Sequence, residues 1–477
     1  MKSIFQFLLL VFCFALPMKA TVWQIGVSRQ YTMPSQVSSL VKNNDTVEID
    51  AGTYSEDVAH WTANNLLLQG VGGTAHMKSN GKSFGGKAIW VIGGNNTNVA
   101  FIEFSECKVP DGNGAGIRLE AANLTVHGCY FHDNEDGILA GDNPSSDILI
   151  EYCEFSRNGK GDGYSHNLYI NHVHSLTFQY NYSHHTMVGH ELKSRAYNNY
   201  ILYNRLSNEV DGTASRNIDL PNGGTAIIMG NEIQQGTLTE NSNMIGYGLE
   251  GLSNPSPHEL YIVNNTIVNE RSAGSFLSVK EGAQMIYARN NIFAGVGTVI
   301  VGMASIIDTS HNWTGSIADA NFADSKLYDY HLLKSSPAVN SGEDIAKTVN
   351  GIFLVPTNEY RHPRNLKFRI KVGAIDIGAH ENTEITGVDE SKVLTRSFVY
   401  LNSTSDNYTI VIPDELKESP KIEVSDLNGN LVLSYLNTPD NKGNITIGSS
   451  QFLASGMYFI RIFTYKDQLL MKVIIDK

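Results

Sequence analysis

Leu124-Thr-Val-His-Gly-Cys129-Tyr-Phe131 lines up with Ile148-Leu-Ile-Glu-Tyr-Cys153-Glu-Phe155, and both line up with Leu176-Thr-Phe-Gln-Tyr-Asn181-Tyr-Ser183. The pattern returns at Tyr200-Ile-Leu-Tyr-Asn204-Arg-Leu206, Ala226-Ile-Ile-Met-Gly-Asn231-Glu-Ile233, Leu260-Tyr-Ile-Val-Asn-Asn265-Thr-Ile267 and Met285-Ile-Tyr-Ala-Arg-Asn290-Asn-Ile292. Apolar and polar residues alternate within each unit, and Gly, Asn, Asp and Ser separate the units, which is the pattern of short half-buried strands. A repeat on the order of 25 residues belongs to a solenoid. No helical stripe lies between the strands and leucine does not recur at fixed offsets, so each coil is expected to contain strands only. Successive coils then stack about 4.8 Å apart, and residues at one repeat position form a ladder along the axis. Cys129, Cys153, Asn181, Asn204, Asn231, Asn265 and Asn290 are read as such a ladder. A buried amide at the strand end can bond to the turn of the next coil, and a cysteine fills the same small slot.

The 477-residue chain is long enough for two or more domains. It is 42% apolar and only 17% charged, with 43 glycines against 13 prolines, a turn-rich composition that favours β structure. The formal net charge is −13. Nucleic acid is not an expected partner for so acidic a chain, and a polyanionic substrate would need basic residues concentrated locally.

The N-terminus reads Met-Lys-Ser, an apolar run from Ile4 to Leu16, then Pro17-Met-Lys-Ala20, the layout of a secretory signal over residues 1–20. The run is too short to span a bilayer. Cys13 would leave with the signal, and Phe12 before it is too bulky for a lipoprotein cleavage site. Cys107, Cys129 and Cys153 remain. An odd number argues against a disulfide framework, and no Cys-x-x-Cys pair points to zinc, so these three are read as buried apolar side chains.

Over roughly residues 34–381 the chain resembles the pectin lyase-like, right-handed parallel β-helix superfamily. Gln36-Val-Ser-Ser-Leu-Val-Lys-Asn-Asn-Asp-Thr-Val-Glu-Ile-Asp-Ala-Gly-Thr-Tyr54 is similar to that family's opening, a short capping helix and the first strand. Ser336-Pro-Ala-Val339 with Gly373-Ala-Ile-Asp-Ile-Gly-Ala-His-Glu381 resembles its terminal coil. The implied fold is all-β, a right-handed parallel β-helix solenoid over 21–381 followed by a small β-sandwich. These motifs speak for fold, not function.

After Glu381 the repeat stops, and 382–396 reads as a polar linker. Residues 397–477 alternate as a sandwich: Thr409-Ile-Val-Ile412, Lys421-Ile-Glu-Val-Ser-Asp426, Leu431-Val-Leu-Ser434, Gly456-Met-Tyr-Phe-Ile-Arg-Ile462 and Leu470-Met-Lys-Val-Ile-Ile-Asp-Lys477, with Asn428-Gly429 as a hairpin turn. "Ser-Asp-Leu-Asn-Gly", "Gly-Met-Tyr-Phe-Ile" and the terminal Lys resemble the C-terminal sorting domain of the Bacteroidetes type IX secretion system. Leu401-Asn-Ser403 stands where that domain usually has Asn-Pro. The resemblance implies the secretion machinery as a partner and a secreted or outer-membrane surface-attached product. The alternative for this tail is a carbohydrate-binding sandwich, for which no exposed aromatic pair speaks. The chain is expected to act as a monomer.

Six of the fifteen histidines fall between His166 and His190, and that stretch runs into Glu191, Lys193 and Arg195. Counted back from the ladder, His166-Asn-Leu-Tyr-Ile170, His190-Glu-Leu-Lys-Ser194 and Arg216-Asn-Ile-Asp-Leu220 occupy equivalent strands of three successive coils. Leu168, Leu192 and Ile218 then point inward. Alternation sends Asn167, Glu191 and Asn217 outward, together with a row of Tyr169, Lys193 and Asp219.

Lysine beside carboxylates and histidines implies mutually perturbed acid and base groups. The reaction that suits such a groove is β-elimination on a uronic-acid polysaccharide: a cation neutralises the carboxylate, a base removes the C5 proton, and an acid protonates the leaving oxygen. Lys193 is the first candidate for base and Arg195 for the carboxylate clamp; Tyr169, His166 or His190 completes the set. Glu191, Arg216, Asp219, Asn222, Glu240 and Glu250 are candidate substrate-binding residues, and Pro221-Asn-Gly-Gly224 is read as a tight turn. Lyases of the superfamily that act on alginate or dermatan use lysine and arginine on neighbouring coils, often with calcium, and Lys193-x-Arg195 resembles their pair.

Three alternatives stay open: polygalacturonase-like hydrolysis, which needs converging carboxylates that Asp219 finds only in Glu191 and Asp162; C5-epimerisation, which shares the proton abstraction; and a non-catalytic glycan-binding or adhesive solenoid. No cofactor is firmly implied. His172, His174, His184 and His185 form no zinc-like helical pair, and calcium held by Asp and Glu at the groove is open.

Overall fold

The computed structural model describes residues 20–382 and seven strands between 398 and 475. Residues 1–19 of the signal segment, 383–396 of the linker and the Asn428-Gly429 turn lie outside the described residues.

Twenty-nine strands form one continuous sheet paired in parallel. They fall into three ladders, one strand from each per coil. The first runs from Ala59–Trp61 through Ala88–Ile92, Ala115–Leu119, Asp136–Ala140, Leu168–Ile170, His190–Ser194, Arg216–Leu220 and Asn243–Tyr247. The second includes Leu124–His127, Asn143–Glu151, Val173–Gln179, Asn198–Leu202, Thr225–Met229 and Glu259–Val263. The third includes Ile102–Ser105, Tyr130–His132, Glu154–Ser156, Tyr182–His184, Arg205–Ser207 and Glu232–Gln235. A one-turn helix, Ser35–Ser38, stands near the start, as the opening motif implied.

Inward-facing side chains close the core. Phe104, Phe131 and Phe155 stack face to face along the axis at centroid spacings of 5.0 and 4.9 Å, matching the rise from coil to coil. Cys107, Cys129 and Cys153 are free and buried, as read from the sequence.

The predicted ladder is present and its bonds are directional. The side-chain oxygen of each Asn accepts the backbone N–H of the preceding ladder residue: Cys153 to Asn181 (2.8 Å), Asn181 to Asn204 (2.9 Å), Asn204 to Asn231 (2.8 Å), Asn231 to Asn265 (3.0 Å). Cys153 Sγ fills the same role for Cys129 N at 3.4 Å. The last step differs from the sequence alignment. Asn265 donates to Asn291, not Asn290, and Asn291 donates in turn to Asn312. Asn290 pairs instead with Asn264 and binds Glu343 from outside. In an Asn-Asn doublet one amide enters the coil and the other faces the covering chain, and hydropathy alone does not distinguish them.

Beyond Trp313–Gly315 the chain leaves the coil and returns along it as short antiparallel hairpins. The closing motif is pinned by buried ions. His380 lies between Glu232 (Nε2 to Oε1, 2.5 Å) and Glu359 (Nδ1 to Oε2, 3.3 Å), and Arg369 meets Glu381 at 2.9 Å. Burial opposes the charge on His380, but bonds to Glu232 and Glu359 overcome it and raise its pKa to about 9. Glu359 is held down to about 2, against burial, by His380. Because the folded pKa of His380 lies above the unfolded value near 6.5, its contribution is complete below about pH 6.5 and is lost as the pH rises through about 9. Glu359's contribution is present above its unfolded value and is lost as the pH falls towards 2. Thermal melts are therefore expected to show a stability plateau near pH 5–6.5 with an alkaline decline, and His380→Gln should flatten that decline while lowering the plateau by about 3–5 kcal/mol, the cost of stranding a buried partner. An alkaline limb unchanged in the variant would refute the assignment.

The seven C-terminal strands form antiparallel sheets of three and four strands. Lys421–Asp426 pairs antiparallel with Leu431–Leu436, as the Asn-Gly hairpin required.

Candidate functional site

The three predicted strands of the first ladder lie side by side in the expected register, with Tyr169 opposite Lys193 and Lys193 opposite Asp219. Leu168, Leu192 and Ile218 are fully buried in the core.

One position earlier, strict alternation fails. Asn167, Glu191 and Asn217, expected outside, are all fully buried. They occupy the bend where the third ladder passes into the first, and there the side chains turn inward to satisfy backbone groups. Glu191 accepts from Asn167 Nδ2 (2.6 Å), Thr186 Oγ1 (2.7 Å), Asn208 Nδ2 (3.1 Å) and Ser183 Oγ (3.2 Å). Burial pushes its carboxyl up to about 7 while those bonds oppose it. Glu191 ties the bend together and has no surface for a substrate.

His166 and His190 are also buried, with rings stacked at 4.8 Å and planes 9° apart. His166 Nδ1 accepts the backbone N–H of His190 (3.0 Å), and His190 Nδ1 accepts that of Arg216 (3.2 Å). Asp136 does the same for His166 N at 2.7 Å. These bonds assign both rings as neutral tautomers with the proton on Nε2. Burial, reinforced by the charge of Lys193, lowers His166 to about 3; burial and the neighbouring His166 push His190 well below its usual range. The pair is a spine that fixes the backbone under the site. His172, His174, His184 and His185 each lie against a carboxylate, of Asp142, Asp147, Glu154 and Asp211 respectively.

On the outer row, Asp219 is only 1% exposed. Its Oδ1 accepts from Arg216 Nη1 at 3.2 Å, and its Oδ2 lies 3.5 Å from His190 Nε2 and 3.6 Å from Lys193 Nζ. Burial raises this carboxyl above its normal range; Arg216 and Lys193 oppose the rise. Gly246 follows Asp219 in register, and a Cβ there would come within 2.9 Å of Asp219 Oδ1.

Above this row stands Glu250, on the loop between Asn243–Tyr247 and Glu259–Val263. Lys193 Nζ donates to its Oε1 (2.8 Å) and Arg195 Nη2 to its Oε2 (2.5 Å), which hold its carboxyl below the usual range against burial. Arg195 also donates through Nε to Tyr169 Oη (3.0 Å) and through Nη1 to Asn222 Oδ1 (2.5 Å), and Asn222 Nδ2 reaches Ser253 Oγ at 2.5 Å. Both cations lie near the Tyr169 ring, at 6.0 and 5.9 Å from its centroid.

Of the eleven residues singled out from the sequence, Tyr169, Lys193, Arg195, Arg216, Asp219, Asn222 and Glu250 come together around one patch. His166 and His190 underlie it, and Glu191 is buried in the bend. Glu240 is exposed in the turn before Asn243–Tyr247 and takes part in none of the contacts above. Sequence reasoning missed Ser253 and the space left by Gly246; the available signal was the spacing of 34 between Asn231 and Asn265, the longest in the ladder, which marks the loop that carries Glu250 and Ser253. Asp219 and Glu250 already face Lys193, Arg195 and Arg216, a surrounding that does not suit calcium.

Residues 41–206 match the family model described as the right handed beta helix region. Residues 398–476 match the secretion system C-terminal sorting domain. No curated protein matches the chain. The chain is therefore a right-handed β-helix protein with a C-terminal type IX sorting domain. It is handled by the type IX secretion machinery and is secreted or attached to the outer-membrane surface.

Proposed function

We propose that the protein is a polysaccharide lyase that cleaves a uronic-acid-containing polysaccharide by β-elimination. One observation carries this reading: Arg195 holds a carboxylate through Nη2 and the Tyr169 phenol oxygen through Nε, with Lys193 on the carboxylate's other oxygen. In this reading Glu250 occupies the place that a uronate carboxylate takes when substrate enters. A carboxylate so clamped brings its neighbouring C5–H towards Tyr169 Oη.

Lys193 and Arg195 neutralise the carboxylate and acidify the C5 proton. The step needs the ionised form of Tyr169, whose oxygen Arg195 Nε faces; it takes that proton, the C5 electrons form the C4–C5 double bond as the C4–O bond breaks, and the Tyr169 hydroxyl returns the proton to the departing oxygen. Lys193, already donating as an ammonium to Glu250, fits the clamp better than the base role the sequence first suggested. Hydrolysis would need two accessible carboxylates, and Asp219 is almost fully enclosed.

The test is incubation of the secreted protein with a panel of uronic-acid polysaccharides while absorbance near 235 nm is followed. A rise reports the conjugated double bond of the eliminated product. New reducing ends without that absorbance would mean hydrolysis, altered C5 configuration in intact polymer would mean epimerisation, and retention of glycan with neither signal would mean a binding solenoid.

A further inference from the structure

On the third ladder, away from the patch just described, His76, Glu103 and His132 converge from three successive coils, with one ligand-type atom from each within 4.8 Å of the others. We infer that these three side chains form a binding site for a late first-row divalent metal ion, zinc in the first place. This inference is independent of the lyase reading.

The distances fit. His132 Nε2 lies 3.0 Å from Glu103 Oε1, and His76 Nε2 lies 3.5 Å from the same oxygen. Ligands about 2.1 Å from a tetrahedral zinc are separated by about 3.4 Å, and by about 3.0 Å around an octahedral ion, so both edges fall where a metal would set them. Two imidazole nitrogens and one carboxylate oxygen are a donor set that suits zinc and its neighbours in the first row better than magnesium or calcium.

The surroundings supply what a ligating histidine needs. His132 Nδ1 lies 2.6 Å from Asp133 Oδ2, so the ring can give that proton to the carboxylate and turn the Nε2 lone pair towards Glu103. The Tyr130 ring stacks on His132 at 4.4 Å and holds its plane. The His76 ring lies beside that of His132, with centroids 5.8 Å apart. Its Nε2 currently shares the Ser105 hydroxyl at 2.7 Å, a bond that a metal would replace. Lys78, the nearby cation, is paired with Glu106.

The side chains of His76, Glu103 and His132 remain 21%, 25% and 17% exposed, so an ion there would keep positions open to water or to an oxygen ligand from solution. Among the described residues, the other cluster of this kind, His331, Glu359 and His380, differs in one decisive respect. Both nitrogens of His380 are engaged by Glu232 and Glu359 as a protonated ring, which leaves no lone pair for a metal.

The test is calorimetric titration of the full secreted chain with zinc chloride, and separately with calcium chloride. One zinc site is expected that Glu103→Gln or His132→Ala weakens by at least tenfold, with no equivalent calcium site. Asp133→Asn leaves all three ligands in place and guards against a folding artefact; it should weaken zinc about tenfold with an unchanged melting temperature. Absence of zinc binding, zinc binding of unchanged affinity and stoichiometry in all three variants, or calcium binding that depends on the same residues would each overturn the proposal.

Discussion

Replacing Lys193 with alanine is expected to lower the rate of unsaturated-product formation by on the order of 10³-fold, the usual cost of removing one preorganised charge from the site of a developing anion. Lys193 Nζ is the link between the accessible Glu250 carboxylate and the enclosed Asp219. In the proposed lyase reading, a uronate carboxylate would then keep Arg195 alone, and the C5 proton would lose half of its acidifying charge. Arg216 still neutralises Asp219, so the variant should melt cooperatively, which circular dichroism would record beside the absorbance assay. Glu250→Gln is the counterpart. It removes the internal carboxylate that competes for the clamp, and KM should fall with kcat little changed. A Lys193→Ala enzyme that kept more than about a tenth of its activity would end the clamp assignment.

The second large effect concerns stability. Asn231 Oδ1 accepts from Asn204 N and Nδ2 (2.8 and 3.0 Å), and its Nδ2 donates to Ile201 O and Asn265 Oδ1 (2.8 and 2.9 Å). The residue is fully buried. Alanine in its place would leave several polar groups without partners in a site closed to water, at about 1–3 kcal/mol each, so a total of about 3–5 kcal/mol is expected. Urea unfolding, with amide exchange read at the neighbouring coils, measures it, because a solenoid can open locally before it unfolds as a whole. A loss below about 1 kcal/mol would mean that the ladder merely fills space.

Much of the architecture was legible in the chain because a solenoid writes the same constraint many times. The inward Leu168, Leu192 and Ile218 and the outward Tyr169, Lys193 and Asp219 followed from side-chain alternation within straight strands. That rule stopped working where the strands bend. Glu191 looks in sequence like any exposed acidic residue of a strand, yet it is the acceptor for a bend full of amides and hydroxyls. Nor did the density of histidines reveal their surroundings: His166 and His190 are buried, stacked on each other and bonded to backbone N–H groups. His76, Glu103 and His132 were invisible as a group, because neighbours on adjacent coils stand 27 and 29 residues apart, with nothing local to connect them.

The ladder spacing also bears on how such a protein can change. Each Asn measures its coil from the inside, so chain added between two ladder positions is expelled outward and leaves the register intact. The stretch from Asn231 to Asn265 is the longest such interval, 34 residues, and its surplus is the loop that carries Glu250 and Ser253. Leu252 of this loop packs against the core and Asn254 Nδ2 bonds the backbone of Arg195, Ala196 and Gly223, so those two positions anchor it, while Glu250 stands on surplus chain whose length and contents the asparagine ruler leaves free.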